Sequence, residues 1–179
     1  MTIQDDIIRR SADIHWPDGF NPTEADVFAH NEIVIDAAPE RIWQHLIAAT
    51  RWPEWYSNAA NVVVNHPSEL LADGVSFDWT TLGLEVSSTV AEFVPTARLG
   101  WYVRGGGVQG YHAWLLVPRE HDTYVVTEEV LLGDGAKQLA QTNPGLVHRG
   151  HELWNISLKF RSEPETAPTS RSITTTTAA

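Results

Sequence analysis

The stretch Ile33–Tyr56, IVIDAAPERIWQHLIAATRWPEWY, constrains the fold more than any other part of the chain. Ile33, Val34 and Ile35 form a β-branched run that reads as a strand, and Pro39 suits the first turn of a helix. Ile42, Trp43, Leu46 and Ile47 then recur at helical spacing, so the helix carries an apolar stripe that must face a core. The following Arg51-Trp52-Pro53-Glu54-Trp55 stops the helix, because proline disfavours a helical residue before it, and brings two indoles near one another. A strand, a tight turn, an amphipathic helix and an aromatic–proline lock therefore follow in order.

Downstream, Asn61–Asn65, Val75–Thr81, Leu84–Val94, Arg98–Arg104, Val108–Val117 and Thr123–Leu132 read as strands. They are punctuated by Asp73-Gly74, Leu82-Gly83, Pro95-Thr96, Gly105-Gly106-Gly107 and the run from Pro118 to Asp122. With the opening strand they make a seven-stranded antiparallel meander, which needs a cover on one face. A last helix from Pro144 to Arg161, with Asn143 as N-cap, supplies it. Its stripe of Leu146, Gly150, Leu153, Trp154 and Ser157 is expected to line an inner wall. Gly133–Thr142 is a separate short helical piece. Residues 1–29 form an N-terminal arm in which Ile3, Ile7, Ile8 and Ile14 suggest a short amphipathic helix. The arm is expected to pack on the body and so cover Trp16 and Phe20. Residues 162–179, rich in Pro, Ser and Thr, have little to bury and read as a disordered tail.

Three passages, VIDAAPERIWQHL with RWPEW, LEVSSTVAEFVPTARLGWY, and YHAWLLVP followed by YVVTEEVLL, resemble the START-like, helix-grip (SRPBCC) superfamily of polyketide cyclase/dehydrase and lipid-transport type. The resemblance spans residues 30–161. It implies an α+β fold in which a curved seven-stranded antiparallel sheet wraps a long C-terminal helix around an internal cavity for an apolar molecule. It also implies scaffold rather than reaction, because such proteins vary their pocket residues, and no catalytic position carries over from it.

Composition narrows the partners. The net charge of −11 disfavours nucleic acid and anionic membrane surfaces. Nine carboxylates against two arginines in residues 1–40 account for −7 of that charge, leaving −4 for the body. The absence of cysteine removes thiol nucleophiles and soft metal ligands. No signal peptide or membrane-spanning run is evident, so the expected location is cytoplasmic. Eight tryptophans point to an aromatic core or an aromatic pocket.

Strand alternation puts His112, Trp114 and Leu116 on one face and Tyr111, Ala113, Leu115 and Val117 on the other. Both faces are apolar, which also leaves room for a homodimer. His112 is expected in the cavity as a general base or carbonyl partner. Of the adjacent Glu128 and Glu129 only one can face inward. Alignment with Val125 and Thr127 favours Glu129, whose carboxyl would gain acid–base use from burial. Trp79, Trp101, Trp114 and Trp154 are candidate stacking walls for an aromatic ligand, with Tyr102, Arg104, Asp78 and Glu85 as weaker polar candidates whose facing strand alternation alone does not decide. Gly105–Gly110 matches GxGxxG but lies between strands, so it is a hairpin and not a dinucleotide site; it is a candidate flexible lip at the cavity entrance. His148, His151 and Glu152 have metal-like spacing on one helix. They are not in HExxH order and lack an evident third ligand, so they are expected on the solvated side, with no metal and no cofactor.

These readings converge on a small hydrophobic or aromatic ligand. The sharper expectation is a cofactor-independent cyclase or dehydratase of secondary metabolism that uses His112 and Glu129. The alternatives are a non-catalytic carrier or sensor of a lipid-like ligand, and a co-chaperone docking through an exposed apolar outer sheet face.

Overall fold

A computed structural model describes residues 3–164, so most of the Ser/Thr/Pro tail lies outside the described residues. Helix α1 (Ile3–Arg9) and an irregular arm lead to β1 (Val27–Ile35), α2 (Pro39–Ile47) and a short 3-10 segment, Ala49–Glu54. The strands β2 (Ala59–Val64), β3 (Ser76–Thr81), β4 (Leu84–Val94), β5 (Arg98–Gly105), β6 (Val108–Pro118) and β7 (Thr123–Leu132) follow, then α3 (Asp134–Thr142) and α4 (Leu146–Ser162). One seven-stranded sheet results, in the order β1-β7-β6-β5-β4-β3-β2, with antiparallel pairing throughout. Bulges in β2 and β4 bend it toward the helices.

The concave face holds the main core. Ile42, Trp43 and Leu46 of α2 meet Phe77, Val90, Leu99, Trp101, Leu116 and Val125 of the sheet and Trp154 and Leu158 of α4. Trp52 sits at the centre of this cluster, its ring 5.1–5.8 Å from those of Phe77, Trp79, Trp101 and Trp154. Its indole N–H donates to the Leu46 carbonyl at 3.1 Å, which ties the lock back to α2. The lock therefore divides its two indoles. Trp52 is fully buried, and Trp55 is a partly buried residue packed against the same cluster.

The convex face explains why β6 is apolar on both sides. Ile14, Trp16 and Phe20 of the arm pack on Tyr102, Tyr111, Ala113, Leu115, Tyr124 and Val126. Trp16 meets Phe28 and Tyr111 edge-on, each at 6.0 Å. The approach is close: a Cβ on Gly100 would lie 2.3 Å from the Tyr111 hydroxyl oxygen. The convex apolar face of β6 is thus packed against the chain's own arm.

Three local expectations change. In α1 the inward residue is Asp6, 2% exposed, while Ile8 is 79% exposed, so this helix is seated by a carboxylate rather than an isoleucine stripe. Asn143 is the C-cap of α3, its N–H bonded to the Leu139 carbonyl, and α4 starts after Gly145 in a left-handed conformation (φ 79°). The buried stripe of α4 consequently runs through Val147, Gly150, His151, Trp154, Asn155 and Leu158, leaving Leu153 39% exposed.

Candidate active site: a buried His–Glu–His cluster under an apolar cavity

His112 in β6 and Glu129 in β7 are direct partners across the β6–β7 ladder, so both project from the concave face. His151 reaches them from α4, which crosses that face. His151 Nε2–H donates to Glu129 Oε2 at 3.2 Å, and His112 Nδ1 lies 3.7 Å from Glu129 Oε1. The other nitrogen of His112, Nε2, shares a 2.8 Å hydrogen bond with the Thr127 hydroxyl. The His112 ring is held flat against Trp101 (4.7 Å between centroids, 29° between planes) and Trp114 (5.5 Å, 15°). Burial, with the neighbouring His151 adding to it, holds the His112 imidazole well below its ordinary pKa, so this ring is neutral at physiological pH.

Above the cluster lies a cavity of about 290 Å³. Its walls come from Tyr56, Trp79, Val86, Val103 and Trp154, and its rim from Leu82, Leu84, Gln138, Leu139, Thr142 and Leu146. Tyr56 stacks on Trp154 (4.4 Å, 9°) and donates its hydroxyl to the Gly150 carbonyl at 3.3 Å. The indole N–H of Trp154 is buried without a hydrogen-bond partner. The β5–β6 hairpin contributes Gly106 to the lining and is pinned to α3 rather than free. Gly135 N–H donates to the Gly107 carbonyl at 3.1 Å, and a Cβ on Gly135 would stand 2.3 Å from the Gly106 carbonyl oxygen.

The expected site residues separate into three places. His112, Glu129, Trp79 and Trp154 meet at the cavity. Trp101 and Trp114 lie behind His112 in the core and are not on the cavity wall, so they hold the imidazole's plane rather than face a ligand. Tyr102 and Arg104 alternate with the inward Trp101 and Val103, and so project from the convex face away from the cavity. Tyr102 packs on Phe20 at 5.6 Å, and Arg104 lies exposed beside a separate recess with Asp78 and Glu85. Glu128 is buried on that convex face as well, 2.6 Å from His30 Nδ1.

His151 is the residue that reading the sequence misplaced: it is 3% exposed, not solvated. Its signal was present in the i, i+4, i+7, i+11 series Val147, His151, Trp154, Leu158, a better apolar stripe than the one begun at Leu146. Tyr56 and the α3 residues of the rim carry no comparable signal, because Tyr56 gains its place only when α4 docks on it and the rim forms only when α3 folds over the hairpin.

No family model and no curated protein matches the sequence. Among solved structures, the hypothetical protein jhp0584 from Helicobacter pylori is 30% identical, with 86% of this chain and 98% of that one covered and a TM-score of 0.78. The Zhui aromatase/cyclase from Streptomyces sp. R1128 is 10% identical over 76% of this chain and 93% of that one, with a TM-score of 0.64. The Aha1 dimer from Colwellia psychrerythraea is 18% identical over 79% and 99%, with a TM-score of 0.58. The sheet that wraps a C-terminal helix, with the cavity between them, is the START-like helix-grip fold that aromatase/cyclases share. Within that fold class the chain belongs to the same family as the Helicobacter protein. Among the described residues no helix is long and apolar enough to cross a membrane.

Proposed function

We propose that the protein binds a small aromatic or hydrophobic molecule bearing a carbonyl group, and that the cluster beneath it moves a proton at that end. The observation that carries this reading is convergence: three titratable side chains from β6, β7 and α4 meet at a cavity whose remaining lining is mostly apolar. A carrier needs only scattered polar groups. In the enzyme reading, Glu129 takes a proton from the carbon beside the carbonyl while an imidazole N–H of the cluster hydrogen-bonds the carbonyl oxygen and so stabilises the enolate that forms, the proton staying on Glu129 until it is returned to carbon. Such a step serves ring closure or loss of water of the aromatase/cyclase type. The cavity volume is at the lower end of the roughly 300–1,000 Å³ usual for small-molecule sites, which suits one or two fused rings rather than a long polyketide chain. Tyr56, Trp79 and Trp154 would offer ring surface to that ligand.

The test is deuterium exchange beside the carbonyl of a fused bicyclic ketone such as tetralone, followed by NMR in D2O. Wild-type protein should accelerate exchange, and Glu129→Gln or His112→Ala should lower the rate by about 10²–10⁴-fold. Acceleration that survives both substitutions would falsify the enzyme reading.

A further inference from the structure

We propose that His112, Glu129 and His151 together bind one zinc ion at the floor of the cavity. One ligand atom from each residue, an imidazole nitrogen or a carboxylate oxygen, lies within 4.8 Å of the others. Tetrahedral zinc with bonds of about 2.0–2.1 Å places its ligand atoms about 3.3 Å apart. Here His151 Nε2 is 3.2 Å from Glu129 Oε2 and His112 Nδ1 is 3.7 Å from Glu129 Oε1, one imidazole at each oxygen, so closing on an ion takes side-chain shifts that draw the three ligand atoms in from within 4.8 Å of one another. Each donor stands on a different element, which fixes the three independently of one another.

The surroundings of His112 fit a ligand as well as the spacing does, while His151 Nδ1 is buried without a hydrogen-bond partner. A metal-bound histidine ordinarily has its second nitrogen held by a hydrogen bond, which sets the ring and the tautomer. The Thr127 hydroxyl does this at His112 Nε2, leaving Nδ1 turned to Glu129. Two imidazoles and a carboxylate with one position open is a donor set of catalytic zinc sites, and the chain has no thiolate to complete a closed structural one. All three residues line the cavity, so the open position faces the space where a ligand would lie. The helix order of His148, His151 and Glu152 had argued against a metal. In the fold, however, His148 turns to Asp6, at 3.1 Å, while His151 joins two strand residues, Glu129 and His112.

This inference rests on the cavity of the proposed function and changes what stands at its polar end. Zinc and its water would meet the ligand's oxygen, and Glu129 would act as a ligand rather than as a free base.

The experiment uses untagged full-length protein, stripped with a chelator, dialysed, and titrated with Co²⁺ while its visible d–d absorption is recorded. One equivalent per chain should bind, with the intensity of a tetrahedral site, and Zn²⁺ should displace it. His151→Gln and Glu129→Gln should abolish the signal with circular dichroism unchanged, and His148→Gln should leave it intact. Thr127→Val should weaken binding about 10–100-fold, with Thr127→Ser restoring it. Wild-type protein that binds no stoichiometric Co²⁺, or His151→Gln that binds it as tightly as wild type, overturns the proposal. Tetralone binding without metal binding removes the zinc site and leaves the cavity reading standing; metal binding without tetralone binding does the reverse.

Discussion

Glu128 and Glu129 are neighbours on one strand, and each is buried beside a histidine, yet their surroundings differ in kind. Glu128 faces the convex side, where one oxygen accepts hydrogen bonds from the Ser11 backbone N–H and from His30 Nδ1, both at 2.6 Å. Around that pair, His30 Nε2 reaches Glu32 at 3.3 Å, Glu32 accepts from Arg9 and from the Tyr124 hydroxyl, and His148 pairs with Asp6 of α1. These contacts join the arm to the sheet. Glu129 faces the concave side, keeps one longer bond to His151, and opens onto a cavity. One carboxylate is spent on holding the chain together; the other is left available.

The comparison breaks first on stability. Removing one partner of a buried pair strands the other, so Glu128→Ala should cost about 3–5 kcal/mol in urea unfolding. Glu129→Gln should cost within about 1 kcal/mol, since the amide can keep a hydrogen bond to His151 and already borders a cavity. Equal losses at the two positions would erase the distinction. A smaller effect is expected where the arm seats on the sheet. Gly100→Ala forces a methyl group into the Tyr111 ring and should cost about 1–3 kcal/mol, leaving ketone binding on the opposite face unchanged.

The least effect is a slope with pH. Burial pulls His30 down, but the hydrogen bond and charge of Glu128, joined by Glu32, outweigh it and raise its pKa above the ordinary 6.5. A raised histidine contributes stability that is fully present below about 6.5 and lost as pH rises through the folded value. Asp6, raised chiefly by burial and drawn back in part by His148 and His30, gives a slope of the same sign that begins at its ordinary 3.8 rather than at 6.5. Unfolding free energy should therefore decline from pH 6.5 upward, and His30→Gln should flatten that decline. An unchanged slope in the variant would take His30 out of the arm's attachment.

The sheet was legible in the sequence because alternation and turn residues are local signals. The strand bounds from β2 to β7, the helix after Pro39 and the division of β6 into two apolar faces all follow from them. Glu129 pointed inward for the same reason, as Val125, Thr127 and Glu129 share a face by simple alternation. What failed was what depends on docking. The buried stripe of α4 lies one residue further on than Leu146 would set it, a roll fixed by packing against the sheet and α2, which brings His151 inward and turns Leu153 out. Tyr102 and Arg104 face the convex side because they alternate with the buried Trp101 and Val103, and which face is concave is set only by the docking of the helices. The convex network of His30, Glu128 and Asp6 had no signal in the strands alone, since it forms only once the arm lies across them.

The account depends on the concave cavity being a ligand site. Its most direct test is native mass spectrometry of the protein from its own host, beside a Leu146→Trp variant that fills the cavity rim and a His30→Gln variant that loosens only the convex face. The account predicts a small aromatic or hydrophobic molecule bound to wild type and His30→Gln and missing from Leu146→Trp. A bound molecule retained in Leu146→Trp, or no bound molecule in any of the three, would contradict it.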